Sequence, residues 1–138
     1  MRGVAPALVL VLAGAARAED NVSRLKACPT SPNCVLSTAA ADEKHRVTPF
    51  PFTGSPTDAL ARVKAAALSF PRTAVVEEAP GYLRMTFTSA VFRFVDDVEF
   101  EVDEAAKAVN VRSASRVGRS DFGVNRKRVE AIRRKLGG

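Results

Sequence analysis

The sequence predicts an α+β domain, a small antiparallel sheet of three to four strands with two helices packed on one face. Segments of helical period near residues 56–70 and 124–136 bracket a run from 73 to 116 in which apolar and polar residues alternate. Connections within that run are short, so neighbouring strands should be antiparallel. The chain has 138 residues, 46% hydrophobic and 26% charged, which fits a single domain. Mean hydropathy near zero, with 8 Gly and 8 Pro, excludes a disordered, collagenous or polytopic membrane chain.

The first segment addresses the protein rather than building it. Arg2 precedes an apolar run from Val4 to Ala16, and Ala16-Arg17-Ala18 has the small-x-small form that signal peptidase accepts. The expectation is a secretory signal over residues 1–18, one α+β domain over 19–138, and export to the periplasm or an equivalent lumen. Two other readings stand beside it. The run could persist as an anchor, although it falls short of the roughly 20 residues that span a bilayer. Leu25-Lys26-Ala27-Cys28 also imitates a lipoprotein cleavage box. No transmembrane helix is expected after cleavage, and a monomer is expected.

Export governs the two cysteines, Cys28 and Cys34, in Cys28-Pro29-Thr30-Ser31-Pro32-Asn33-Cys34. An oxidising compartment favours pairing them. Redox catalysis prefers the tighter C-x-x-C spacing, and a zinc site would have only His45 as a further soft ligand. A structural disulfide between Cys28 and Cys34 is the expectation, with free thiols and a metal site as the alternatives.

Val47 to Phe52 is extended, because Pro49 and Pro51 each bar helix at the preceding residue. Ser55 caps the first helix, with Pro56 in its first turn and Asp58 completing a capping box. Leu60, Val63, Ala67 and Phe70 should face the core, and Pro71 should stop the helix. Strands are expected over Thr73–Glu77, Tyr82–Ser89, Val91–Val102 and Val109–Arg116, with a Pro80-Gly81 turn. The last helix, Val124 to Leu136, should turn Asn125, Val129, Ile132 and Leu136 inward.

Alternation in the third of these strands puts Phe92, Phe94, Asp96, Val98, Phe100 and Val102 on the packed face. Arg93, Val95, Asp97, Glu99 and Glu101 point outward, where the acidic stripe should meet Arg112. Asp96 is therefore a carboxylate on an apolar face, costly unless paired and hydrogen-bonded. Its candidate partners are Ser113, Ser115, Asn125 and an arginine among Arg116, Arg119, Arg126 and Arg128. Such a group is either a salt bridge fastening helix to sheet or a ligand pocket. Gly118 and Gly123 punctuate the loop before the last helix, so with Asp121 these arginines outline a cradle for carboxylate, phosphate or sulfate. Residues 112–138 hold nine basic and two acidic side chains, against six acids and no base from Asp96 to Glu104.

Three motifs carry a resemblance: C-P-x-S-P-N-C-V at 28–35, F-R-F-V-D-D-V-E-F at 92–100, and R-S-A-S-R-x-G-x-S-D-F-G-V-N-R-x-R-V-E-x-I at 112–132. Together they resemble the uncharacterised bacterial and plastid family called domain of unknown function 1499. That resemblance spans nearly all of residues 28–136 and implies no activity and no catalytic residues. The family's Cys-Val-Ser-Ser run reads Cys34-Val35-Leu36-Ser37 here.

One His, one Tyr and no Trp leave little for catalysis. A serine triad would need His45 to meet Ser113, Ser115 or Ser120, with Asp96 or Asp121 orienting it. The leading expectation is an exported module, without cofactor or metal, that binds an anionic small molecule, a lipid head group or an envelope polymer through Asp96, Ser113, Ser115, Arg116, Arg119, Asp121, Asn125, Arg126 and Arg128. Nucleic acid is not an expected partner outside the cytoplasm. The alternatives are a hydrolase using Ser or Asp near His45, and a structural or assembly module without a small ligand. Protein recovered from an exporting host should begin at Glu19 and contain no titratable thiol. N-terminal sequencing and thiol titration under native, non-reducing conditions check both.

Overall fold

The computed structural model describes Gly3 and residues 22–137; the expected signal segment and its cleavage site lie, Gly3 apart, outside the described residues. Six strands form one sheet: β1 (Cys34–Leu36), β2 (Phe50–Pro51), β3 (Thr73–Ala79), β4 (Tyr82–Thr88), β5 (Val95–Asp103) and β6 (Ala108–Ser115). Their order is β1-β6-β5-β4-β3, every pairing is antiparallel, and β2 also pairs with β6. Helices α1 (Pro56–Leu68) and α2 (Val124–Lys135) complete the α+β architecture. The expected three to four strands are an undercount. The two extra strands are only three and two residues long, and both form by annealing to the edge of β6, a pairing no local pattern encodes.

One core lies between the sheet and both helices. Ala59, Val63, Ala66 and Ala67 of α1 and Val129 and Ile132 of α2 pack with Leu83, Met85, Val98, Phe100, Val109 and Val111 of the sheet, and Leu60, Phe70 and Leu136 rim it. The α1 start is as expected: Ser55 accepts from the Asp58 amide at 3.0 Å and Pro56 opens the first turn. The helix ends at Leu68, with Ser69 as its C-cap, two residues before Pro71.

The third expected strand begins late. β5 starts at Val95 rather than Val91, and Val91, Phe92 and Phe94 are exposed rather than on the packed face. Arg93 takes a left-handed φ of 56°, and Ser89 and Phe94 hydrogen-bond across the loop through Ser89 N to Phe94 O (2.9 Å) and Phe94 N to Ser89 Oγ (2.9 Å). The chain therefore folds back before the sheet, and the alternation at Phe92 and Phe94 is not strand alternation.

The outer face of the sheet is covered by the chain ahead of the disulfide. Arg24 stacks on the Tyr82 ring (3.6 Å to the centroid) and pairs with Glu77 at 2.6 Å. Ser23 Oγ and the Arg24 amide both donate to Glu101, at 2.7 Å each. Arg112 donates to the Lys26 carbonyl at 2.9 Å, while Leu25 is buried with Leu36, Ala41 and Tyr82. The acidic stripe meets Arg112 as expected, through Glu99 at 3.8 Å. Burial, then the hydrogen bond from Tyr82 to Glu99 (2.6 Å), pushes the Tyr82 phenol far up. Cys28 and Cys34 form the disulfide, which ties this strap to β1. Among the described residues no helix is long and apolar enough to cross a membrane.

Candidate functional site

α2 meets the sheet at the end where β6 stops and β5 starts, and polar side chains converge there. Antiparallel pairing sets Asp96 opposite Ser115 and Val98 opposite Ser113, so both serines face inward beside Asp96. Phe122 and Gly123 both take left-handed φ, 53° and 78°, and this turn starts the helix. Gly123, the N-cap, offers no side chain, so Asp121 caps instead: its carboxylate accepts from Gly123 N at 2.8 Å and Asn125 N at 3.0 Å. Burial opposes ionisation of Asp121, but these amides and the Asn125 side chain more than offset it and hold the carboxyl below its ordinary range.

Asn125 is fully buried at the centre. Its Oδ1 accepts from Ser113 Oγ at 2.6 Å and Arg128 Nη1 at 2.8 Å. Its Nδ2 donates to Asp121 Oδ2 (2.8 Å), Ser115 Oγ (3.0 Å) and the Asn33 carbonyl (3.2 Å). Arg128 lies over the Phe87 ring and closes the network on Asp96 with a 2.7 Å ion pair, the two side chains only 12% and 9% exposed. Among the described residues no buried side-chain nitrogen or oxygen lacks a hydrogen-bond partner. Six of the nine expected site residues thus form one saturated clamp: Asp96, Ser113, Ser115, Asp121, Asn125 and Arg128.

The other three arginines do not join them. Arg116 turns outward and holds Asp97 bidentately at 2.8 and 2.9 Å, which keeps the Asp97 carboxyl below its ordinary range despite partial burial. The parity that turns Ser113 and Ser115 inward turns Arg116 away. Arg126 donates to the Lys44 and Arg46 carbonyls, both at 2.8 Å, and so holds the loop before β2. Arg119 is exposed and has no ion-pair partner among the described residues. Asn33 is a further member of the network, outside the expected set. Its Nδ2 donates to the Gly118 carbonyl at 2.7 Å, and its position inside the disulfide ring is the one signal that could have marked it.

His45 is buried, and neither ring nitrogen reaches a serine hydroxyl. Nδ1 meets Asp42 Oδ1 at 2.7 Å and Nε2 meets the Ser31 carbonyl at 2.9 Å. Both partners are acceptors, so the doubly protonated ring is favoured: the Ser31 carbonyl, then Asp42, raises the imidazole above its ordinary value. A ring so occupied has no lone pair for a serine proton, and the triad contemplated from sequence is not assembled. Among the described residues no group of three His, Cys, Asp or Glu side chains could hold a metal ion.

Beside the clamp, α2 and the end of β4 enclose an open basin of about 340 Å³. Phe70, Phe87, Val124 and Ala131 floor it; Lys127, Arg128 and Arg134 rim it. Lys127 and Arg134 are exposed and, like Arg119, carry no ion pair among the described residues.

Fold and site together define a small disulfide-tied α+β module whose buried polar residues hold a helix to a sheet and whose unpaired charge beside that site is cationic. The chain belongs to the family described as protein of unknown function, DUF1499, whose model matches residues 24–136, nearly the whole chain. No curated protein matches it.

Two outcomes follow from the site's geometry. Asp96→Ala strands a buried guanidinium and should cost about 3 to 5 kcal/mol, whereas Asp97→Ala, at a partly exposed pair, should cost about 1 kcal/mol or less; urea midpoints of the two variants compare them. Because the folded His45 holds its proton above the ordinary value near 6.5, its stabilisation is complete below that pH and lost as pH rises through the folded value. The urea midpoint should fall from pH 6 to 9 more in the wild type than in His45→Gln.

Proposed function

We propose that the protein is an exported binding module that takes an anionic partner on the basic end of α2, in the periplasm or an equivalent lumen. The observation that carries this reading is the division of charge at that end. Each carboxylate there is committed internally: Asp96 to Arg128, Asp97 to Arg116, Asp121 to the α2 amides, and Glu130 to Arg133. Arg119, Lys127 and Arg134 are left uncompensated, two of them on the rim of a basin with an apolar floor. A cationic rim over an apolar floor suits a partner with an acidic group and adjoining apolar surface. On this reading Asp96, Ser113, Ser115 and Asn125 serve as the scaffold that fixes the slope of α2, and the partner touches the rim.

Dextran sulfate is a suitable soluble probe, followed by fluorescence anisotropy at low and physiological salt. Binding should saturate, weaken with added salt, and fall about tenfold or more in Arg119→Gln/Lys127→Gln/Arg134→Gln, since each cation near an anionic surface contributes about 1 kcal/mol. Lys26→Gln/Arg62→Gln/Lys64→Gln removes the same charge elsewhere and should bind almost as the wild type does. Equal losses in both triple variants would mean that only net charge is sensed, and would overturn the site.

A further inference from the structure

Two loops leave the sheet at its β5-start, β6-end edge, where the Arg116 amide donates to the Val95 carbonyl at 3.2 Å. The loop over residues 89–94 carries Val91, Phe92 and Phe94; the loop from Arg116 to Gly123 carries Val117 and Phe122. Phe92 is 75% exposed and Phe122 is 89% exposed, and Phe92 stacks on Phe94 with ring centroids 5.6 Å apart. Beside them Arg93 and Phe122 hold left-handed φ of 56° and 53°, a backbone state that side chains larger than Gly seldom adopt. Apolar side chains held out in water, on neighbouring loops, gain nothing for the fold.

We propose that this tip docks on an anionic phospholipid bilayer, with Phe92, Phe94 and Phe122 entering the interface and Arg93, Arg119, Lys127 and Arg134 meeting the head groups. The proposal rests on the anionic-partner reading above and names its partner. Protruding rings on two loops offer little of the broad, flat area that a stable protein interface needs. They suit a fluid interface, into which separate rings sink independently while cations stay at head-group level. A second copy of the chain is the poorer occupant, because two such ends bring like charges together with no free carboxylate between them. Val124, which follows the second loop directly, lines the basin, and Lys127 and Arg134 line the same basin.

The chain contains no tryptophan, so Phe122→Trp supplies a single reporter. Its emission should shift to the blue with vesicles of phosphatidylcholine and phosphatidylglycerol, and should stay unchanged with phosphatidylcholine alone or with dextran sulfate. Phe92→Ser/Phe94→Ser/Phe122→Ser alters only exposed side chains and should lower co-sedimentation with the mixed vesicles about tenfold or more, while leaving the dextran sulfate affinity intact. Binding to dextran sulfate without binding to vesicles would overturn the bilayer and leave the anionic-partner reading standing; binding to neither would remove both. Unchanged co-sedimentation of the serine variant would overturn insertion, as would a blue shift that tracks protein concentration without lipid, which would mark a second copy as the occupant.

Discussion

The arrangement of the molecule depends on one buried carboxamide. Asn125 takes hydrogen bonds from Ser113 and Arg128 and gives them to Asp121, Ser115 and the Asn33 carbonyl. It therefore joins the last helix, the sixth strand, the loop between them and the disulfide ring in a single contact set. A polar group with no exposure is stabilising only when its capacity is filled, and here the filling partners come from segments up to 92 residues apart. An apolar residue at that position would leave two serines, an aspartate and an arginine without the group that links them. The network also fixes where Arg128 lies, hence which carboxylate it neutralises and which cations stay free.

Much of this was legible in the sequence because the informative patterns are local. Helical period picked out both helices, and Ser55 with Pro56 marked the start of the first. Strand alternation puts Asp96, Ser113 and Ser115 on the packed face and helical period turns Asn125 toward them, and the structure joins them. Alternation failed at Phe92 and Phe94, where the period of two continues past the point at which Arg93 turns the chain. A hydrophobic period records which residues could share a face, and says nothing about where hydrogen bonding to a neighbour stops. The two short strands escaped for a different reason. Cys34–Leu36 and Phe50–Pro51 hold too few residues to show a period, and they pair with a strand more than fifty residues later.

Among the arginines, the sequence could not separate those spent on the fold from those left for a partner, because all carry the same charge and stand within a dozen residues. Parity alone distinguishes Arg116, which follows an inward serine and so faces out. Arg126 reaches carbonyls of a loop 80 residues earlier, a partner that no spacing rule reveals. Export and the identity of any partner are of another kind again. The first is read from an address segment rather than from the fold, and the second only through charge and exposed apolar surface.

The strap over the outer face sets a polarity for the whole molecule. Ser23 and Arg24 bond to Glu101, which stands opposite Tyr82 at the start of the fourth strand, whereas the phenylalanine loops project from the other end of that strand. A chain trimmed to begin at Val22 thus starts at the pole remote from the aromatic tip. A bulky reporter fused there leaves the tip uncovered, and when such a fusion is tethered to a surface, the tip faces away from the point of attachment.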